Sequence, residues 1–167
     1  MSEGEDIALR RLLAYATRRG LLLARRLGSG LHGVVQEAES NAIPGLVAVK
    51  THREAAPFQR ERDVYLRLRE REVSRVCGFN IPQLVAWDDE LLALEITMVK
   101  QPFVLDFGGA WLDDEAPEFS PEVWEDWQRR LDESFEARAG VVRRALAALQ
   151  SHGVIMLDVH RGNIAFE

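Results

Sequence analysis

The stretch Leu27-Gly28-Ser29-Gly30-Leu31-His32-Gly33-Val34-Val35 decides the fold class, because its three glycines fall between two segments of strand character. Leu21 to Leu27 precedes them and Gly33 to Glu39 follows, where the helical period of the residues before Gly20 gives way. A G-x-G-x-x-G run that links a strand to a helix indicates a dinucleotide fold. One that links two strands is the tip of a hairpin, where bare glycine backbone can approach a ligand and offer its amides to phosphate. An isolated glycine-rich hairpin turn is the competing explanation of the same residues.

Outward from that hairpin, Leu46 to Lys50 is a third strand, joined to the second by the turn-forming Asn41-Ala42-Ile43-Pro44-Gly45. Phe58 to Arg71 has helical spacing, with Phe58, Tyr65 and Leu68 on one stripe. Gln83 to Trp87 and Leu91 to Val99 are two more strands, separated by Asp88-Asp89-Glu90. Before the hairpin, residues 6–19 form an amphipathic helix with Asp6 as N-cap and Gly20 as the stop. The order helix, three strands, helix, two strands predicts an α+β chain with an antiparallel five-stranded sheet and one crossing helix. Two helices follow, Ser120 to Arg138 and Val141 to Ser151, the first opened by Ser120-Pro121 and the second ending near Gly153.

Composition narrows the function classes. The chain has 167 residues, 21 basic and 27 acidic side chains, 47% hydrophobic residues and one cysteine, Cys77. This length supports one globular domain with a real core. A lone cysteine excludes an intrachain disulfide framework and a multi-cysteine zinc site, so a reducing, cytoplasmic location is the expectation. The longest apolar runs are far short of the roughly 20 residues needed to cross a bilayer, so no membrane association is expected. An acidic balance without a basic stripe argues against nucleic acid as a partner. Residues 1–75 nevertheless carry 14 basic against 10 acidic groups, a sign that suits an anionic ligand or simply solvated arginine-rich helices. The segment 113–136 holds ten acidic residues, read as a solvated helix face, with a docking surface for a basic partner as the lesser alternative.

Only two lysines are present, Lys50 and Lys100, so their places are informative. Leu46-Val47-Ala48-Val49-Lys50 ends a strand in one of them. Glu61 lies at four and seven positions before Tyr65 and Leu68, on or beside the buried stripe of the next helix. Downstream comes His152-Gly153-Val154-Ile155-Met156-Leu157-Asp158-Val159-His160-Arg161-Gly162-Asn163-Ile164-Ala165-Phe166, with a carboxylate and an amide five positions apart after a helix and before a short strand.

Taken in order, the glycine run, V-A-x-K, a helix glutamate and D-x-x-x-x-N resemble the protein-kinase-like superfamily, in a minimal, C-terminally truncated form similar to bacterial serine/threonine kinases. The resemblance covers residues 21–166 and implies a small lobe over 21–99, a hinge over Met98 to Pro102 with its turn at 100–102, and a reduced helical lobe over 103–167, all within a single kinase-like domain preceded by the 1–20 helix. It implies that Gly28, Gly30 and Gly33 cover the phosphates of ATP and that Lys50 neutralises them, held by Glu61 rather than by Glu54 or Glu70. Val35 and Ala48 would roof the adenine, although strand core explains both equally well. Met98 and Val99 would border the adenine at the hinge. Asp158 would be the catalytic base toward a hydroxyl acceptor and Asn163 a ligand of Mg.

Departures from the pattern bear on activity. Met156-Leu157 replaces the His-Arg before the catalytic aspartate, which removes the arginine that reads a phosphorylated activation loop. His160 stands where a lysine assists transfer. Four residues follow Asn163, leaving no room for the metal-binding D-F-G, while Asp106-Phe107-Gly108 spells it 52 residues before Asp158. Asp106 is there placed to meet ribose hydroxyls, to approach a metal from a rearranged lobe, or to serve only a turn, and Glu167 is a minor candidate for a metal. The leading expectation is an ATP-binding, Mg-dependent phosphotransferase. The alternatives are a catalytically inactive nucleotide-binding pseudokinase or interaction module, and an enzyme completed by a partner chain. The acceptor, protein or small molecule, is not encoded in any motif.

Overall fold

The computed structural model describes residues 3–30, 33–41, 43–104 and 106–166. Leu31 and His32 of the glycine run, and Glu167, lie outside them. The chain is mixed α+β and divides into two compact units, one of residues 1–62 and 82–98, the other of 63–81 and 99–167.

The first unit is built on a five-stranded antiparallel sheet of β1 (Leu22–Ser29), β2 (Gly33–Glu39), β3 (Leu46–His52), β6 (Leu84–Asp88) and β7 (Ala93–Thr97), in the order β1-β2-β3-β7-β6. All five strands expected from the sequence are present, with ends shifted by at most two residues. The largest gain is at β3, which runs on through Thr51 and His52, two polar residues beyond the expected strand end at Lys50. They are buried because each has a partner: the Thr51 hydroxyl donates to the Ala8 carbonyl at 2.7 Å. Helix α1 (Glu3–Arg19) lies on β2 and β3.

Asp6 is not the N-cap. The helix begins at Glu3, with Glu3, Glu5 and Asp6 all in its first turn, where carboxylates favour the positive end of the helix dipole, and Asp6 pairs with Arg10 one turn on. Gly20 ends α1 with φ +66°.

Because side chains alternate across a strand, the register sorts this sheet into two faces. Val47 and Val49 of β3, Val34 and Ala38 of β2 and Ala93 of β7 share one face and form a core with Ala8, Leu12, Tyr15 and Ala16 of α1. Val35, Ala48, Lys50 and His52 therefore share the other. On the α1 face Glu95 is fully buried, accepting from the Tyr15 hydroxyl at 3.0 Å and paired with Arg19 at 3.0 Å. Burial first, and the neighbouring Glu95 charge second, push the Tyr15 phenol well above its ordinary pKa.

Helix α2 (Ala55–Glu70) begins before the expected Phe58 and contributes to both units, with Phe58, Glu61, Tyr65 and Leu68 all buried. The second unit contains more strand than the helical remainder expected from sequence. β4 (Arg75–Val76), β5 (Phe79–Asn80), β8 (Phe103–Val104) and β11 (Ile164–Ala165) form a sheet in the order β11-β8-β5-β4, in which β5 and β8 are parallel. β9 (Ala110–Leu112) pairs with β10 (Val154–Met156). Two- and three-residue strands carry too few side chains to show a period, which is why the sequence conceals them.

Helices α3 (Pro121–Phe135) and α4 (Ala139–Ser151) pack on one another, and the expected 120–138 helix ends early in a 3-10 turn at Glu136–Arg138. Ser120 occupies the N-cap position without a side-chain bond to the helix backbone; its hydroxyl instead engages the Glu122 carboxylate, whose pKa falls as a result. Among the described residues no helix is long and apolar enough to cross a membrane.

Candidate functional site

In the first unit, β3 and α2 bring three ionisable side chains together inside the protein. Lys50 is 7% exposed, Glu61 1% and His52 0%. The Lys50 ammonium lies 2.8 Å from Glu61 Oε2 and 3.1 Å from Oε1, so it bridges the carboxylate. His52 Nε2 lies 2.7 Å from Oε2. Alternation along β3 explains the cluster: Lys50 and His52 are two apart and therefore on one face, and an α2 that starts at Ala55 presents Glu61 to both. Glu54 lies before the helix and Glu70 is exposed at its far end, so Glu61 is the partner that Lys50 takes.

The sheet places the other sequence candidates around this cluster. Val35 and Leu94 are the cross-strand partners of Lys50, and Glu37 and Ile96 those of Ala48. Val35, Ala48 and Lys50 thus line one side of the sheet. The three glycines differ. A Cβ on Gly33 would fall 1.9 Å from the Thr51 carbonyl oxygen, so the close approach of β2 to β3 requires glycine there. A Cβ on Gly28 or Gly30 would meet nothing within 4 Å, and neither residue has a positive φ. Among the described residues nothing requires glycine at those two positions. Met98 is exposed and Val99 half-buried just after β7, where the chain leaves the first unit and enters the second.

The second unit assembles the other candidates. Met156 pairs with Ala110 across β9 and β10, and a Cβ on Gly109 would lie 2.4 Å from the Asp158 Cβ. Gly109 therefore lets the turn at 106–109 pass directly against Asp158. Within that turn Asp106 adopts φ +59° and its carboxylate accepts from the Gly108 amide at 3.1 Å, capping a 3-10 turn over Phe107–Gly109. Its side chain serves the turn, one of the three roles expected for it. Phe107 is buried edge-on against Tyr65, with ring centroids 5.3 Å apart.

Asp158 itself is open, its side chain 66% exposed. Asn163 is 1% exposed and staples the loop, donating from Nδ2 to the Asp158 carbonyl and accepting the His160 amide on Oδ1 at 3.1 Å. The Gly162 amide donates to His160 Nδ1 at 2.9 Å, which puts the proton of the neutral ring on Nε2, 3.8 Å from Asp158 Oδ2. Trp127 of α3 donates its indole N–H to the Leu157 carbonyl at 2.7 Å and fixes the entry to the loop. No motif or spacing signals this contact.

A groove of about 370 Å³ adjoins the loop, lined by Phe135, Arg138, Arg161, Ile164 and Phe166 among others. Among the described residues no three His, Cys, Asp or Glu side chains converge on a point where they could hold a metal ion. The two candidate oxygen donors are the open Asp158 carboxylate and the Asn163 amide oxygen, which already accepts the His160 amide. Magnesium takes oxygen ligands of this kind and keeps waters on its remaining positions.

No protein-family model matches this chain, and no curated protein matches it. Two constellations stand out in the chain, a buried strand lysine clamped by a helix carboxylate and an exposed loop aspartate whose loop is held in shape by an asparagine.

Proposed function

We propose that the chain is a minimal protein-kinase-like phosphotransferase that binds MgATP and passes its γ-phosphoryl group to a hydroxyl acceptor. The observation that carries this reading is the Lys50–Glu61 pair at 2.8 Å, with 7% and 1% exposure. Burying a lysine and a glutamate together rarely helps a fold, because desolvation offsets most of their attraction. A rigidly held ammonium on a strand, beside Val35 and Ala48 and next in the sheet to a hairpin with two structurally unneeded glycines, has a purpose in neutralising polyphosphate. Asp158 takes the acceptor hydroxyl proton as its oxygen attacks phosphorus, and its exposure leaves it accessible to a substrate.

Calorimetric titration with MgATP tests the binding half. Saturable binding is expected, with loss of most affinity in Lys50→Met; equal affinity of the two proteins removes the reading. Transfer of label from the γ-phosphate to a hydroxyl compound or to the protein tests the chemical half, and Asp158→Ala is expected to abolish it. A second reading, a nucleotide-binding module without turnover, is favoured by Asn163, whose amide groups both serve the loop. Thermal stabilisation by MgATP without any label transfer selects it.

A further inference from the structure

The Lys50–Glu61 pair has a third member that no motif announces. His52 is fully buried on the same face of β3 as Lys50, with Nε2 2.7 Å from Glu61 Oε2, the oxygen that Lys50 approaches at 2.8 Å. Its Nδ1 faces the Leu92 carbonyl at 3.4 Å, and its ring packs edge-on to Phe58 of α2 with centroids 5.6 Å apart. The ring can neither turn nor leave. Behind it, the end of β3 is tied to α1: the Arg11 guanidinium donates to the His52 carbonyl at 2.7 Å and to the Arg53 carbonyl at 2.9 Å.

We propose that His52 is the positioning residue for Lys50, fixing the Glu61 carboxylate so that the ammonium is aimed at nucleotide phosphate. This deepens the function proposed above and rests on it. A buried carboxylate is stable only when its lone pairs are met, and it turns about its terminal bond toward whatever donors it has. With Lys50 on both oxygens and His52 on Oε2, the carboxylate has one orientation and so does the lysine. Without the imidazole it turns to follow the lysine, and the aim of the ammonium is lost while the charge pair survives. His52 touches neither the nucleotide nor the acceptor in this account. Its effect reaches the ligand only through Glu61 and Lys50, and from its backbone side it is anchored by α1.

The experiment compares wild type, His52→Leu and His52→Gln, because a glutamine amide reaches about as far as imidazole Nε2 and can donate to the carboxylate, whereas leucine cannot. His52→Asn, whose amide is too short to reach, replaces the leucine variant should that one not fold. The first readout needs no nucleotide. The chain has two lysines, so acylation by an N-hydroxysuccinimide ester, resolved by peptide mass spectrometry, reports Lys50 with exposed Lys100 as the internal standard. The Lys50 to Lys100 labelling ratio is expected to rise severalfold in His52→Leu and to stay at the wild-type value in His52→Gln. An unchanged ratio in His52→Leu overturns the positioning role.

The second readout is affinity for MgATP against adenosine. Loss of one hydrogen bond to a charged group predicts about tenfold weaker MgATP binding in His52→Leu, with adenosine unaffected and His52→Gln within about twofold of wild type. A parallel loss for both ligands marks a merely structural histidine and also overturns the proposal. If wild type binds no MgATP while the labelling ratio still responds to His52, the nucleotide reading fails and the positioning of Lys50 by His52 stands.

Discussion

The two units carry their candidate chemistry in opposite ways. In the first, Lys50, His52 and Glu61 are packed out of water and hold one another at 2.7 to 3.1 Å. In the second, Asp158 stands in solvent and the backbone around it is held instead, by Asn163, by Gly109 and by the Trp127 indole. A charge that must point in a fixed direction at a ligand is best immobilised by its neighbours, at the cost of desolvation. A group that must meet a substrate and exchange a proton is best left accessible, with only its main chain constrained. Substitutions in the buried cluster of the first unit are accordingly expected to act on stability as well as function, and replacement of the exposed Asp158 on function alone.

Glu61→Leu breaks the comparison at its strongest point. It leaves an ammonium and an imidazole buried without their carboxylate, and removing one partner of a buried ion pair typically costs about 3–5 kcal/mol. Urea denaturation should show this loss, together with loss of nucleotide affinity; a variant as stable as wild type contradicts the buried geometry. Gly33→Ala comes next, since its methyl group must displace the Thr51 carbonyl, and overpacking of this kind costs about 1–3 kcal/mol. Gly28→Ala and Gly30→Ala meet no atoms and should melt as wild type does, while weakening MgATP. If all three alanines melt alike, the distinction between a structural and a ligand-facing glycine falls.

The buried Glu95 on the opposite side of the same sheet sharpens the contrast, because its partners are Tyr15 and Arg19 of α1 and nothing assigns it chemistry. The Tyr15 pKa is raised in the folded protein. Between the unfolded value of about 10 and the folded one, only the unfolded chain loses the phenol proton, so ionisation there favours unfolding. The contribution is whole below about pH 10 and declines as pH rises toward the folded pKa. Tyr15→Phe should cost about 1–3 kcal/mol near neutrality by leaving Glu95 short of a donor. It should also flatten the alkaline fall in melting temperature, and an identical pH profile in both proteins removes Tyr15 as its source.

What could be read beforehand follows from how far each interaction extends along the chain. The sheet of the first unit was legible because its strands are long enough to alternate, and Lys50 and Glu61 because a strand end and a helix stripe fix their faces. His52 was not, since its partners are not its neighbours in the chain: Glu61 lies nine residues on, Leu92 forty on, and α1 more than forty back. The strands at 75–76, 79–80 and 103–104 were hidden for the same reason: two residues have no period, and their stability comes from neighbours distant in sequence. Asp158 and Asn163 were visible as a spacing, while the Asn163 bonds that hold the loop required coordinates. Asp106 was legible only as three alternatives, and the observed cap on Gly108 supplies a structural task for it.

The smallest effect on stability belongs to the loop, and there the separation of stability from function is cleanest. Asp158→Asn keeps the shape of an exposed side chain whose carbonyl, not its carboxylate, receives the Asn163 bond. Stability should stay within about 0.5 kcal/mol of wild type, as for exposed sites without special geometry. Label transfer should disappear while MgATP binding, assigned to the other unit, remains. Gly109→Ala provides the control, because its methyl group would press on the Asp158 Cβ and displace the carboxylate without changing its chemistry. Equal loss of transfer in both variants, with nucleotide binding intact, shows that the position of this carboxylate matters as much as its charge. Transfer that survives Asp158→Asn but not Gly109→Ala assigns the chemistry to the backbone turn rather than to the aspartate, and the comparison of the two units would then have to be redrawn around Asp106.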